Sequence, residues 1–174
     1  MKERFLLFGL LLLSVSIMQV SCFSVPHLLW PQKDIQPTEL NEPSLERKVL
    51  VASRSSEFKD AVVQKIGEAF KNEPVYVKFI GLEQLEKEDG ANYAAVVLIN
   101  KSMSWDMDRN VKGFLKRHKE QSNMIVLTTS GDGEWLPKMK GRHFDAISSA
   151  SQEDKIDEIA DEIISKVRLL LQEK

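Results

Sequence analysis

Residues 48–172 alternate between short apolar runs and longer segments with helical spacing. The apolar runs have the length of buried strands and cover residues 49–53, 75–80, 93–100, 123–130 and 144–149. The spacing between them predicts amphipathic helices over 57–72, 106–121 and 151–172, and a short helix within 81–90. Residues 131–143 leave room for one turn at most. Strands that alternate with helices predict an α/β fold with a parallel sheet covered on both faces.

A series of five such strands suits the strand order 2-1-3-4-5 in a three-layer sandwich. In that order, ligands bind at the carboxyl ends of strands 1, 3 and 4. Three loops then meet at one end of the sheet, over residues 53–58, 101–106 and 129–135. We call them loop one, loop two and loop three. The fourth crossover is the weakest part of the assignment, because 131–143 is too short for a full helix.

The N-terminus has the layout of a secretory signal. A charged start, MKER, precedes an apolar core, Phe5–Met18, and the small residue Ser21 precedes Cys22. The apolar core is short for the ~30 Å hydrocarbon thickness of a bilayer. We therefore predict a signal peptide over 1–21, export from the cytoplasm and a domain over 48–174.

Cys22 is the only cysteine, so a disulfide within one chain is excluded. Its position resembles that of the lipidated cysteine of bacterial lipoproteins, although Gln19 stands where those proteins usually carry leucine. This favours lipidation at Cys22 and a lipid-anchored location at the cell envelope. A plainly cleaved signal and an uncleaved anchor remain open. Four prolines without clear periodicity predict a tether over 22–47.

Charge and histidine spacing indicate no further site. The formal net charge is −2, which does not favour a nucleic-acid partner. His27, His118 and His143 lack the paired spacing of a metal site. The segment TTSGDG lacks the Gly-x-Ser-x-Gly frame of a nucleophile turn, so we assign no catalytic residue.

The three loops carry groups that suit a phosphorylated ring compound. Loop one contains groups that can bind an anion. They are the Arg54 guanidinium, the free N–H groups at the start of a helix, and the hydroxyls of Ser53, Ser55 and Ser56. Trp105 and Trp135 close loops two and three and would sandwich a planar ring. The alternatives are an ordinary helix cap by Ser55 or Ser56 and tryptophans that only pack under their loops.

The element order and loop placement over 48–172 resemble those of flavodoxins. The resemblance implies FMN, with its phosphate in loop one and its ring between Trp105 and Trp135. The segment VLTTSGD is similar to the fourth-strand segment of flavodoxin-like protoporphyrinogen oxidases, which adds Thr129, Ser130 and Gly131 as candidate cofactor-binding residues. Flavodoxin phosphate loops follow Ser/Thr-x-Thr-Gly-x-Thr. Here Ser56 stands at the glycine place and Phe58 at the last threonine place.

Two functions follow from the sequence. One is an FMN-binding electron-transfer protein or oxidoreductase of the envelope, whose partner is a redox protein or a quinone- or porphyrin-like molecule. The other is a non-enzymatic, membrane-anchored lipoprotein that uses the same fold to bind a partner. The tryptophan pair favours the first function, whereas the missing glycine and Phe58 favour the second. Catalysis stays open.

Overall fold

A computed structural model describes residues 32–172 of the chain. The predicted signal segment, Phe5–Met18, and the predicted lipidation site, Cys22, lie outside the described residues. Within 32–172, no helix combines the length and apolar character that a bilayer crossing requires.

The core of the domain is a six-stranded sheet in the order β1-β3-β2-β4-β5-β6. Its strands are β1 (Thr38–Leu40), β2 (Lys48–Ser53), β3 (Tyr76–Gly81), β4 (Ala95–Lys101), β5 (Met124–Ser130) and β6 (Asp145–Ala150). β2 to β6 are parallel, and in register Val51 lies between Phe79 of β3 and Val97 of β4. These five strands follow the predicted order 2-1-3-4-5, which is confirmed.

The sixth strand, β1, shows that the C-terminal part of the predicted tether over 22–47 belongs to the sheet, whereas residues 22–31 lie outside the described residues. β1 runs antiparallel along the edge of β3, with Thr38 opposite Phe79 and Leu40 opposite Val77. From Lys33 onward the segment belongs to the same compact unit as the sheet. A strand of three residues is too short to show a period of two, and an edge strand tolerates the neighbouring Pro37.

The helices are α1 (Glu57–Phe70), α2 (Arg109–Arg117) and α3 (Ile156–Gln172). Three short 3₁₀ segments accompany them, Leu82–Lys87, Gly90–Asn92 and Glu153–Lys155. α2 begins later than the predicted 106–121, because Asp108 caps it and residues 103–106 form a separate turn. No helix forms within 131–143, as predicted.

The helices form two layers, one on each face of the sheet. Val49 and Val51 of β2 point into the layer of α1 and α3, where Val62 also lies. Leu50 and Ala52, which alternate with them, point into the layer of α2. Both faces are dry, which is why the strands read as continuous apolar runs instead of alternating ones.

Candidate functional site

Loops one, two and three lie together at the carboxyl ends of the parallel strands. Ser53, the last residue of β2, pairs with Ile99 of β4, and Lys101 at the end of β4 pairs with Thr129 of β5. The loops that follow these residues therefore emerge side by side, at the place where the chain reverses direction across the sheet.

All three guanidinium nitrogens of Arg54 in loop one donate hydrogen bonds to carboxylates of the protein. Arg54 is only 7% exposed. Its Nη1 donates to Asp34 Oδ1 at 2.8 Å and to Glu83 Oε1 at 3.2 Å, and its Nε and Nη2 donate to Asp108 Oδ2 at 3.1 and 3.0 Å. Burial works to lower the pKa of Arg54, but Asp108 and then Asp34 outweigh it and keep the pKa above its ordinary value. One cation facing three carboxylates does not fit a phosphate.

Asp34 reaches this position because residues 33–35 run antiparallel along loop one. The Ser55 N–H donates to the Lys33 carbonyl at 2.7 Å, and the Ile35 N–H donates to the Ser53 carbonyl at 3.3 Å. Asp34 Oδ2 also accepts the Glu83 N–H at 2.9 Å. We call residues 33–35 the strap. The strap takes up a loop-one N–H that a phosphate would otherwise use.

Gly81 makes room for the strap. A Cβ atom at Gly81 would overlap the side chain of Asp34, so any larger residue would push that carboxylate away. Asp34 was missed at the sequence level, since an isolated aspartate in a proline-rich segment has no recognisable pattern.

Asp108 ties the strap and loop two to the sheet. As N-cap of α2, its Oδ1 accepts the Asn110 N–H at 2.8 Å. Its own N–H donates to Asn100 Oδ1 at 3.1 Å, and Asn100 Nδ2 donates to the Leu127 carbonyl at 3.0 Å. The side chains of Asp108 and Asn100 both have hydrogen-bond partners, so they hold the ends of β4 and β5 in one geometry.

Lys59 lies on the other side of loop one, in the first turn of α1. The residue is 4% exposed, and its Nζ lies 3.1 Å from Ser56 Oγ. Within residues 32–172, Lys59 takes part in no ion pair. Burial and then nearby Lys101 lower the pKa of Lys59 from 10.5 to about 8, with Asp60 offsetting part of the shift. Lys59 is therefore a buried ammonium at a helix N-terminus that forms no ion pair among the described residues.

The three serines of loop one have different roles. Ser53 is fully buried, and its Oγ donates to the Arg54 carbonyl at 2.7 Å. Ser55 Oγ donates to Asp60 Oδ2 at 2.8 Å. Ser56 is the N-cap of α1, as one of the two sequence interpretations expected, although its bond from the Lys59 N–H is long at 3.4 Å. Only Ser56 combines a weak cap with a neighbouring cation.

Trp105 of loop two is 74% exposed. Met103 and Asp106 exchange backbone hydrogen bonds of 3.0 and 3.1 Å around it, forming a tight turn. Ser104 and Trp105 both have left-handed φ values, 53° and 61°. The left-handed conformation costs a non-glycine residue roughly 1–2 kcal/mol, so the Met103–Asp106 turn holds Trp105 in this conformation at an energetic cost.

Loop three places Trp135 differently. Trp135 is half-buried and packs, with Met139, against the apolar layer of α2. Thr129 is buried, and its Oγ1 donates to the Asn100 carbonyl at 3.4 Å. Ser130 Oγ donates to Asp132 Oδ1 at 2.8 Å and accepts the Gly133 N–H at 3.0 Å. Gly131 faces open space. The predicted pair of stacking tryptophans is therefore split into one exposed ring and one packing ring.

A phosphate monoester fits one half of loop one and not the other. The Arg54 half brings three carboxylates, and like charges about 4 Å apart repel by ~1–4 kcal/mol depending on exposure. The Lys59 half offers an unpaired ammonium, the Ser56 hydroxyl and the positive end of a 14-residue helix. Of the two halves, only the one at Ser56 and Lys59 has the charge and hydrogen-bond donors that suit a phosphate.

No protein-family model and no curated protein matches the sequence. Among solved structures, the flavodiiron core of Flv1 from Synechocystis sp. PCC6803 is similar at 12% identity and a TM-score of 0.54, over 75% of this chain and 38% of that one. A flavodoxin from the domain Archaea is 14% identical, with a TM-score of 0.45 over 71% of this chain and 98% of that one. The chain thus spans well under half of the flavodiiron core, and the likeness establishes the fold alone, which is flavodoxin-like α/β.

Proposed function

We propose that this domain binds a phosphorylated flavin, FMN, across loops one and two at the carboxyl ends of the strands and serves in electron transfer. Lys59 and Ser56 would hold the phosphate, and Trp105 would stack on the ring. The flavin would supply the redox chemistry, whereas the protein would supply placement and electrostatics. The observation that carries the proposal is the buried ammonium of Lys59, which has no ion pair among residues 32–172 and lies in the first turn of α1 beside loop one.

The charge of Lys59 is the physical reason to expect an anion there. An ammonium taken out of water costs several kcal/mol unless a countercharge offsets it. The Lys59 ammonium hydrogen-bonds only to a hydroxyl, nearby Lys101 adds a second positive charge, and Asp60 offsets only part of the cost. A bound phosphate would supply the missing countercharge and would use the macrodipole of α1 as well.

The exposed ring of Trp105 is the second support. A turn that holds a tryptophan outward in a left-handed conformation presents a rigid aromatic surface before any ligand arrives. Stacking of an aromatic side chain on a planar base contributes about 1–3 kcal/mol. The ring and the ammonium follow adjacent strands, β4 and β2, so one ligand can span both.

The test compares FMN with riboflavin, which lacks the phosphate, by titrating the full chain and following tryptophan and flavin fluorescence. The full chain is needed because a fragment starting near residue 45 would lack β1 and the strap. We expect FMN to bind more tightly than riboflavin. A charge-assisted hydrogen bond contributes about 1.5–3 kcal/mol, so Lys59→Met should reduce that preference roughly 10- to 100-fold.

The matched control is Lys65→Met, which removes an exposed lysine of the same helix that is paired with Asp157. Its preference for FMN should equal that of the wild type. Equal affinity of the wild type for FMN and riboflavin would refute the phosphate site. No quenching by either flavin would refute the function.

The second candidate is a partner-binding protein without a cofactor, and the saturation of Arg54 favours it. Half of the predicted phosphate loop is closed by Asp34, Glu83 and Asp108, and Trp135 is used in packing. The exposed Trp105 would then be a contact residue for a protein, as tryptophans often are. If neither FMN nor riboflavin binds the wild-type chain in the titration, this second function is supported over the first.

For either function we propose that the chain is exported and held at the cell envelope through a lipid on Cys22. This rests on the sequence pattern of residues 1–22 alone.

A further inference from the structure

The outer surface of α2 is strongly basic. The helix carries four cations and no carboxylate. Val111, Phe114 and Leu115 point into the core, which by helical periodicity turns Arg109, Lys112 and Lys116 outward. Lys112 pairs with Asp106 at 2.6 Å, and the other two outward cations have no ion pair among the described residues.

The segment 131–143 runs alongside α2; its first half carries the exposed carboxylates Asp132 and Glu134, and its second half adds cations. Arg142 fastens its far end, since Nε donates to the Leu115 carbonyl at 3.1 Å and Nη1 to the Lys119 carbonyl at 2.9 Å. Its aromatic Trp135 packs inward, whereas Leu136 is 48% exposed and Lys138 and Lys140 are exposed as well. We call the set Arg109, Lys112, Lys116, Leu136, Lys138 and Lys140 the basic face.

The opposite layer has the reverse charge. α1 and α3 together carry seven carboxylates and four cations along their two helices. The Debye length at physiological salt is about 8 Å, so each layer presents its own charge to the surroundings and the net charge of the molecule does not average them.

We propose that the basic face docks on the surface of an anionic lipid bilayer. Lysines carry most of its charge, and lysine is depleted in protein–protein interfaces, where aromatic and arginine anchors fill pockets. Long lysine stems around an exposed leucine instead suit a fluid layer of anionic headgroups, with the apolar group at the headgroup boundary. If the chain is held at the cell envelope, as the sequence predicts, an anionic bilayer lies close to the basic face. The inference does not depend on flavin binding, because the face excludes Lys59, Ser56 and Trp105.

The test is a lysine-acetylation footprint of the full chain on two kinds of vesicle, read by peptide mass spectrometry. One vesicle is pure phosphatidylcholine and the other contains phosphatidylglycerol as well. Any anchoring by the N-terminal apolar segment is common to both, so only the difference between vesicles is used. We expect Lys116, Lys138 and Lys140 to be acetylated at least several-fold more slowly on the anionic vesicle, and high salt should abolish the difference.

Lys65 and Lys71, on the opposite layer, serve as internal references and should react equally on both vesicles. A pair of charge-reversal variants then separates the face from net charge. Arg109→Glu/Lys116→Glu should remove the protection of Lys138 and Lys140, whereas Lys65→Glu/Lys71→Glu, with the same change in net charge, should leave it intact. Equal effects of the two variants, or equal protection on both vesicles, would overturn the proposal.

Discussion

Replacing Lys59 by methionine should stabilise the protein at neutral pH. The Lys59 residue is only 4% exposed, and no carboxylate of residues 32–172 forms an ion pair with it. Methionine has an unbranched stem of similar length and adapts to irregular sites. The substitution therefore keeps most of the packing and removes the cost of holding an ammonium in a dry position.

The magnitude follows from the lowered pKa. The pKa of Lys59 falls from 10.5 to about 8 on folding, mainly through burial. At pH 7 that difference costs the folded state ~3 kcal/mol, because one pKa unit corresponds to about 1.36 kcal/mol. Between about pH 8 and pH 10.5 the unfolded chain holds more protons, so the free energy of unfolding rises with pH. By about pH 9.5 the wild type should recover ~2 kcal/mol.

Urea unfolding of wild type, Lys59→Met and Lys65→Met at several pH values from about 7 to 9.5 measures this. Staying below about pH 10 avoids the ionisation of tyrosines in the unfolded chain. We expect the advantage of Lys59→Met over wild type to be largest at pH 7 and to shrink by ~2 kcal/mol across the range. Lys65→Met, which removes an exposed lysine, should run parallel to the wild type.

Two results would refute the reasoning. A constant difference between Lys59→Met and wild type across the pH range would mean that the ammonium is not desolvated. A variant less stable than the wild type at pH 7 would mean that Lys59 has a favourable partner.

Three further predictions test other parts of the structure. Asp34→Ala leaves the Glu83 N–H without its acceptor and Arg54 with one carboxylate fewer, so it should cost ~1–3 kcal/mol of unfolding free energy, whereas Glu86→Ala, which removes an exposed carboxylate, should change it little. Gly67→Ala, in the middle of α1, should stabilise by ~1 kcal/mol, because the added Cβ meets only Phe79 at an ordinary 3.5 Å; thermal unfolding that shows a loss would contradict the packing described. Growth with labelled fatty acid should label the wild type and not Cys22→Ser, and an unlabelled wild type would exclude lipidation.

The sheet and its strand order could be predicted because they depend on local patterns. Strands buried on both faces are continuous apolar runs, and β2, β4 and β5 are such runs. β1 could not be found in the same way, because its three residues lie at an exposed edge and show no period. The pairing of β1 with β3 also positions the strap, residues 33–35, alongside loop one.

Lys59 could have been recognised as a candidate from the sequence, although only the serines and Arg54 of loop one were considered. It stands three and seven residues before Val62 and Ile66, which puts it on the apolar stripe of α1. A lysine at such a position is either paired, neutral or bound to an anion. By contrast, the partners of Arg54 were beyond sequence reasoning, because they lie 20, 29 and 54 residues away along the chain.

The two tryptophans show where sequence stops and tertiary structure takes over. The sequence alone determined that both follow neighbouring strands and that 131–143 forms no helix. Because no helix covers the sheet there, Trp135, Met139 and Phe144 cover it instead, and Trp135 turns inward. Trp105 stays outside on a tight turn that the backbone hydrogen bonds between Met103 and Asp106 close. Local periodicity determines elements and order, whereas burial and charge pairing depend on contacts between distant segments, which only the folded chain defines.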